Sequence, residues 1–218
     1  MNPLSSTVAP CLLGVALNYR GLLEQWRPRF ERPPYLQAPQ QPVLFIKTPN
    51  TRNQDGGRVN RPRGQRLQPG PALGVVIANE TRRIHADQAA RHIAGYVIVN
   101  EFSLPEESYY RPALKEKCRD GFCVIGPMTA AAAILDPHGL AIRLQVNHEL
   151  RQHNHTSNLV RTIPQLLESI SGFMTLQAGD VLITGSPEDP VDVSPGDEVT
   201  VEIDGLGQLH NTIVAEAD

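Results

Sequence analysis

The chain has 218 residues, 40% hydrophobic and 20% charged, enough apolar material for one domain with a packed core. Its 20 Lys and Arg stand against 23 Asp and Glu, and the net charge of -3 excludes a global attraction to nucleic acid or to an anionic membrane surface. No apolar run approaches the ~20 residues of a membrane span, and Met1–Pro10 carry no basic stretch leading into one. The expectation is a cytoplasmic protein whose three cysteines, Cys11, Cys118 and Cys123, are reduced thiols.

The first strand-like run is Leu12–Leu17. A Pro/Gln-rich loop, Gln37–Gln41, separates it from Val43–Ile46, which closes on Lys47. A lysine at the end of an apolar strand either reaches solvent or projects into a pocket, where it can stabilise an anion or enolate. The stretch Thr51–Pro71 carries Arg52, Arg58, Arg61, Arg63 and Arg66 and reads as a solvated loop over a site. Arginine there suits carboxylate capture, and the lack of interleaved aromatics argues against nucleic acid.

Leu73–Ala78 and Tyr96–Val99 are the next strands, with a weak helix expected at Asp87–Ile93. After them, Asn100–Glu107 holds three carboxylates, which suit a divalent cation or proton transfer. Glu106 and Glu107 read at least as well as a solvated rim. Glu101, directly after the strand, is placed for partial burial.

Ala141–Val146 leads into Val146–Glu149, a tight hairpin turn in which Asn147 tolerates left-handed geometry. His148, His153 and His155 straddle that turn with no carboxylate at convincing metal spacing. Leu159, Val160, Ile163, Leu166, Leu167, Ile170 and Phe173 share one helical face, with Pro164 and a Thr162/Gln165 capping box marking the start. Gly179-Asp180 and Gly196-Asp197 are turns before the strands Val181–Thr184 and Val199–Ile203. Gly185-Ser186-Pro187 supplies a hydroxyl but no adjacent base to activate Ser186. Many short strands and few helices give a β-rich α+β fold.

Several blocks together resemble the fumarylacetoacetate hydrolase family in order and spacing over almost the whole chain. They are Gly14–Arg20, Pro42–Lys47, Gly95–Ser103, Lys117–Pro127, the Asn147 turn with Gln152, and Leu176–Asp180 running into Thr184–Pro187. Ser103–Pro112 followed by Lys117–Cys123 narrows the resemblance to the homoprotocatechuate branch, and there to the first half of a two-part decarboxylase/isomerase. The resemblance implies a single domain over 1–218, with a lead-in segment to about residue 50 and a β-rich core from about 68. It also implies a rolled mixed β-sheet, a dimeric habit and an unsaturated oxo-tricarboxylate substrate that loses carbon dioxide before isomerisation.

The family norm of Mg²⁺ or a similar divalent cation rests on a Glu-x-Glu pair and a later Asp. Those positions fall on Gly70, Ala72 and Glu101, so this chain is not expected to bind metal tightly. Gly21-Leu22-Leu23 stands where the family's early histidine belongs. The resemblance carries over Lys47, Gln152 and Ser186 as substrate-binding candidates and Glu101 and Lys117 as catalytic ones, with Glu101 the one metal-position carboxylate left. Two readings stay open. In one, the lysines bind the oxo-acid and Glu101 moves a proton. In the other, the chain is a degenerate structural partner of a metal-bearing sister subunit. The expected partners are a small oxo-acid and a second related chain, as homodimer or heterodimer, with neither nucleic acid nor membrane.

Overall fold

Alternation of buried and exposed side chains along the strands builds two mixed sheets that share one core, as seen in a computed structural model describing residues 10–217. The reading of Met1–Pro10 therefore falls almost wholly outside the described residues. The chain runs β1 (Leu12–Ala16), α1 (Arg20–Phe30), β2 (Val43–Lys47), β3 (Arg52–Gln54), β4 (Arg58–Arg61), β5 (Pro71–Ile77) and β6 (Ile93–Glu101). There follow α2 (Leu114–Lys117), β7 (Cys123–Ile125), β8 (Thr129–Ala130), β9 (Ala141–Val146), β10 (Glu149–His155), α3 (Ile163–Ser171), β11 (Val181–Ile183), β12 (Glu198–Ile203) and β13 (Gly207–Ala215).

The larger sheet has the order β2-β1-β11-β5-β6-β7-β3, with β8 added to β6; the smaller has the order β10-β9-β12-β13-β4. In the smaller sheet the period of two is plain: Val199, Val201 and Ile203 of β12 and Leu209 and Ile213 of β13 are fully buried. They meet Leu13, Val15, Leu73, Val75, Ile98 and Val124 from the larger sheet in the main core. The larger sheet's other face gathers Leu12, Ala72, Val97, Val99, Cys123, Val181 and Ile183. β1 is hydrogen-bonded between β2 and β11, so residues within the expected lead-in segment sit inside this sheet.

Helix α3 begins where its sequence marks it. Thr162 caps the Gln165 amide, Gln165 returns the bond, and Ile163, Leu166, Leu167 and Ile170 are fully buried. Phe173, expected on the same face, is 68% exposed because the helix has already ended at Ser171. Asp87–Ile93 is a 3₁₀ segment, Ala86–His92, rather than an α-helix. The arginine-rich stretch is not a free loop: β3 pairs in parallel with β7 and β4 with β13. Among the described residues no helix is long and apolar enough to cross a membrane.

Candidate active site

Three strand ends and one short helix meet at one end of the larger sheet. β5 begins at Pro71, β6 ends at Glu101 and β2 ends at Lys47, and α2 is held over them by the Leu104 amide, which donates to Glu116 O. A cavity of about 300 Å³ opens there, lined by Glu101, Lys117, Gln152 and Ser186, and also by Arg66, Gly70, Glu106 and Tyr109. Four of the five residues singled out in the sequence thus share one wall. Lys47 lies behind it.

The floor is a chain of four charges. Lys47 Nζ is 2.5 Å from Glu101 Oε1, Lys117 Nζ is 2.8 Å from Glu101 Oε2, and Lys117 Nζ is 2.7 Å from Glu106 Oε1. These side chains are 0%, 5%, 5% and 12% exposed in the order Lys47, Glu101, Lys117, Glu106, so the cluster sits in low dielectric and its charges must cancel locally. Burial pulls the Lys117 ammonium down, but Glu101 and Glu106 outweigh it and hold the group well above the usual lysine range. Lys47 goes the other way: burial lowers it, Glu101 opposes this, and the neighbouring Lys117 adds to the fall.

Lys47 also donates to three backbone carbonyls, Phe102 O and Lys117 O at 2.7 Å and Phe122 O at 3.2 Å. Its donors are turned into the protein, tying the β6 end, the α2 end and the β7 approach together. Lys117 instead reaches the cavity, with the Phe45 ring centroid 4.4 Å from its ammonium. That ring has room only because residue 14 is glycine; a Cβ there would collide with it.

The donor set does not fit a hard divalent cation, which wants about six oxygens. Gly70 and Ala72 offer no side-chain oxygen, and both oxygens of Glu101 face ammonium groups. A larger residue at Gly70 is also blocked, since a Cβ would lie 2.5 Å from Glu101 O and 2.7 Å from Ser186 Oγ. The three histidines of the hairpin do not converge. His155 bonds Ser157 Oγ at 2.7 Å, while His148 lies 3.8 Å from Glu198.

Gln152 enters the cavity through an irregularity. The β9–β10 register shifts between Leu150 and Gln152, and such a bulge re-aims a side chain. Its amide nitrogen donates to Glu188 O and to Asp189 O. Arg66, at the mouth, pairs with Asp192 at 2.6 Å while keeping 61% of its side chain exposed.

Sequence reasoning gave Glu106 no better than an even chance against a solvated rim. Its spacing of five from Glu101 was a signal, but burial is set by α2 folding over it. Burial pushes its carboxyl up, Lys117 draws it down and Glu101 pushes it up again. Trp26 and Tyr109, 4.5 Å apart, form an aromatic wall that the sequence reading did not foresee.

A model of the fumarylacetoacetate (FAA) hydrolase C-terminal domain matches residues 11–214. The 4-hydroxyphenylacetate degradation bifunctional isomerase/decarboxylase of Salmonella dublin is 40% identical over 205 residues, covering 94% of this chain and 47% of that protein. The chain thus spans about half the length of the curated relatives it matches. Among solved structures, 5-carboxymethyl-2-hydroxymuconate delta-isomerase from Mycobacterium smegmatis superposes with a TM-score of 0.82 at 30% identity, covering 96% of this chain and 80% of that one. Maleylpyruvate hydrolase from Sphingobium sp. SYK-6, solved with manganese(II) and pyruvate, gives 0.78 at 26% identity, covering 95% and 71%.

Proposed function

This chain belongs to the fumarylacetoacetate hydrolase family, and from that premise we propose that it is a decarboxylase/isomerase subunit acting on an unsaturated oxo-tricarboxylate of homoprotocatechuate breakdown. The observation that carries the reading is the cavity-facing Lys117 ammonium, held charged by Glu101 and Glu106. A fixed cation in a largely buried position attracts the oxo-carboxylate. It also stabilises the enolate oxygen that forms as carbon dioxide departs.

The remaining site residues take supporting roles. Ser186 lines the same cavity as Lys117 and offers its hydroxyl to a substrate carboxylate, while Gln152, whose amide nitrogen is committed to Glu188 O and Asp189 O, offers its Oε1 as an acceptor. Arg66 at the mouth suits a further carboxylate, with Asp192 holding its guanidinium in place. Glu101 fixes Lys117 in its charged form, and Lys47 positions Glu101 from behind the wall.

The residues at 70, 72 and 101 do not fit a divalent metal, and the chemistry rests on the chain's own side chains. The sequence similarity to one half of a longer bifunctional protein favours a second reading. In it the chain pairs with a related, metal-bearing chain and completes that chain's activity.

The test is carbon dioxide release from the oxo-tricarboxylate by the purified chain, alone, with chelator, and mixed with a related metal-bearing chain. Chelator-insensitive turnover by the chain alone, lost in Lys117→Met, supports catalysis here. Turnover only in the mixture, unaffected by Lys117→Met, replaces it with the partner reading.

A further inference from the structure

We propose that Glu106 is the proton carrier of this site, protonating the carbon of the enolate left by decarboxylation and being recharged from solvent. The inference rests on the oxo-acid reading above and assigns a role that reading leaves open.

The geometry separates the two glutamates. Glu101 has an ammonium group against each oxygen, 2.5 Å and 2.8 Å away, and works as a counter-ion. Glu106 meets a single ammonium, Lys117, through Oε1 at 2.7 Å, and its second oxygen can carry a proton. It also stands between two spaces. Glu106 lines the inner cavity with Glu101, Lys117 and Ser186, and it lines an outer groove with Glu107, Arg111, Lys115 and Glu116. A carboxyl in that partition can face the substrate on one side and exchange its proton on the other.

The local charge balance supports the same role. The groups facing Glu106 are Lys117 from α2, Glu101 from β6, Lys47 from β2, Tyr109 from its own loop, and Arg66 across the mouth. Two ammonium and two carboxylate charges already cancel on the cavity floor. A substrate carboxylate beside Lys117 brings excess negative charge, which favours one added proton. Glu106, paired with a single lysine and already raised by burial, accepts it.

The bond to the departing carboxylate breaks, and its electron pair moves into the conjugated oxo-acid to give an enolate beside Lys117. Carbon dioxide leaves uncharged. The enolate pair then forms a C–H bond with the Glu106 proton, restoring the carbonyl and leaving Glu106 ionised. Water in the outer groove returns the proton.

The test uses the full chain, in the mixture if needed, and follows carbon dioxide release together with deuterium uptake into product in D₂O. Glu106→Gln should lower kcat roughly 100-fold or more, as loss of a general acid does. KM should change less than about threefold, and the limb of the pH–rate profile belonging to the acid should vanish. Glu106→Asp should recover part of the rate with that limb shifted. Glu107→Gln, exposed beside it, should match wild type. Wild-type-like kcat and pH profile in Glu106→Gln, with the parent active, would overturn the assignment and leave the proposed function standing. If Glu106→Gln fails to fold, an unshifted limb in Glu106→Asp overturns it instead. No turnover by the parent under any condition removes both.

Discussion

Replacing Lys47 by methionine removes one ammonium from a fully enclosed position while keeping most of the side-chain volume. Three carbonyls and one carboxylate oxygen lose a partner. Phe122 O retains the Phe102 amide as a donor, so the damage falls on Phe102 O and Lys117 O, for which Lys47 is the donor among the described residues. Each buried acceptor left unmade costs about 1–3 kcal/mol. Stripping one partner from a buried ion pair costs about 3–5 kcal/mol in total. The two routes overlap near ~4 kcal/mol. In a chain of this size that lowers Tm by roughly 8–16 °C. Calorimetry at neutral pH reads the shift, and Lys115→Met, on the exposed side of α2, is the control. A Tm within about 2 °C of wild type together with a raised KM would refute the argument. Lys47 would then contact substrate directly, the role its place at the strand end first implies.

Gly14→Ala should drive the Phe45 ring from beneath Lys117, costing about 1–3 kcal/mol in urea unfolding as overpacked cores do and lowering turnover. An unchanged midpoint would mean that the ring has other room. His138 Nε2 accepts the Ile163 amide at the start of α3, at 3.0 Å. Its pKa is lowered, mainly by burial and against the pull of Asp136. The unfolded chain therefore takes up this proton first; the contribution is intact above the ordinary histidine pKa and is lost as pH falls through the lower folded value. Urea midpoints followed from about pH 7 to pH 5 should fall less steeply in His138→Gln than in the parent, and parallel slopes would contradict the assignment.

Where the sequence carried a local instruction, the fold follows it. Thr162, Pro164 and Gln165 announce the start of α3, and Asn147 and His148 turn the hairpin with φ values of 53° and 66°. Gly179 and Gly196 take positive φ before their strands. Helix α1 gave no such notice: it contains the poor helix formers Gly21 and Pro28, and only Trp26 and Phe30 are buried in it. β3 and β4 were illegible for a different reason. They are three and four residues long, and their partners lie far along the chain, Arg52 against Cys123 and Arg58 against Thr212. Such short parallel edges take their register from the strand they join.

The site divides along the same line. Strand-end residues such as Glu101 and Lys47 were visible because a polar group closing an apolar run is locally odd. What the sequence could not give was direction. Lys47 turns inward to three carbonyls, and Glu106, in an acidic run that looked solvated, turns inward to Lys117. Both outcomes follow from neutralising a buried cluster. Gly70 and Ala72 place no carboxylate beside it, and the buried negative charge of Glu101 needs cations of its own. Lys47 and Lys117 supply them, and the second then needs Glu106 to balance it. Glu101 is therefore the counter-ion that this cluster needs. Without it, two ammonium groups no more than 5% exposed would confront each other with one carboxylate between them.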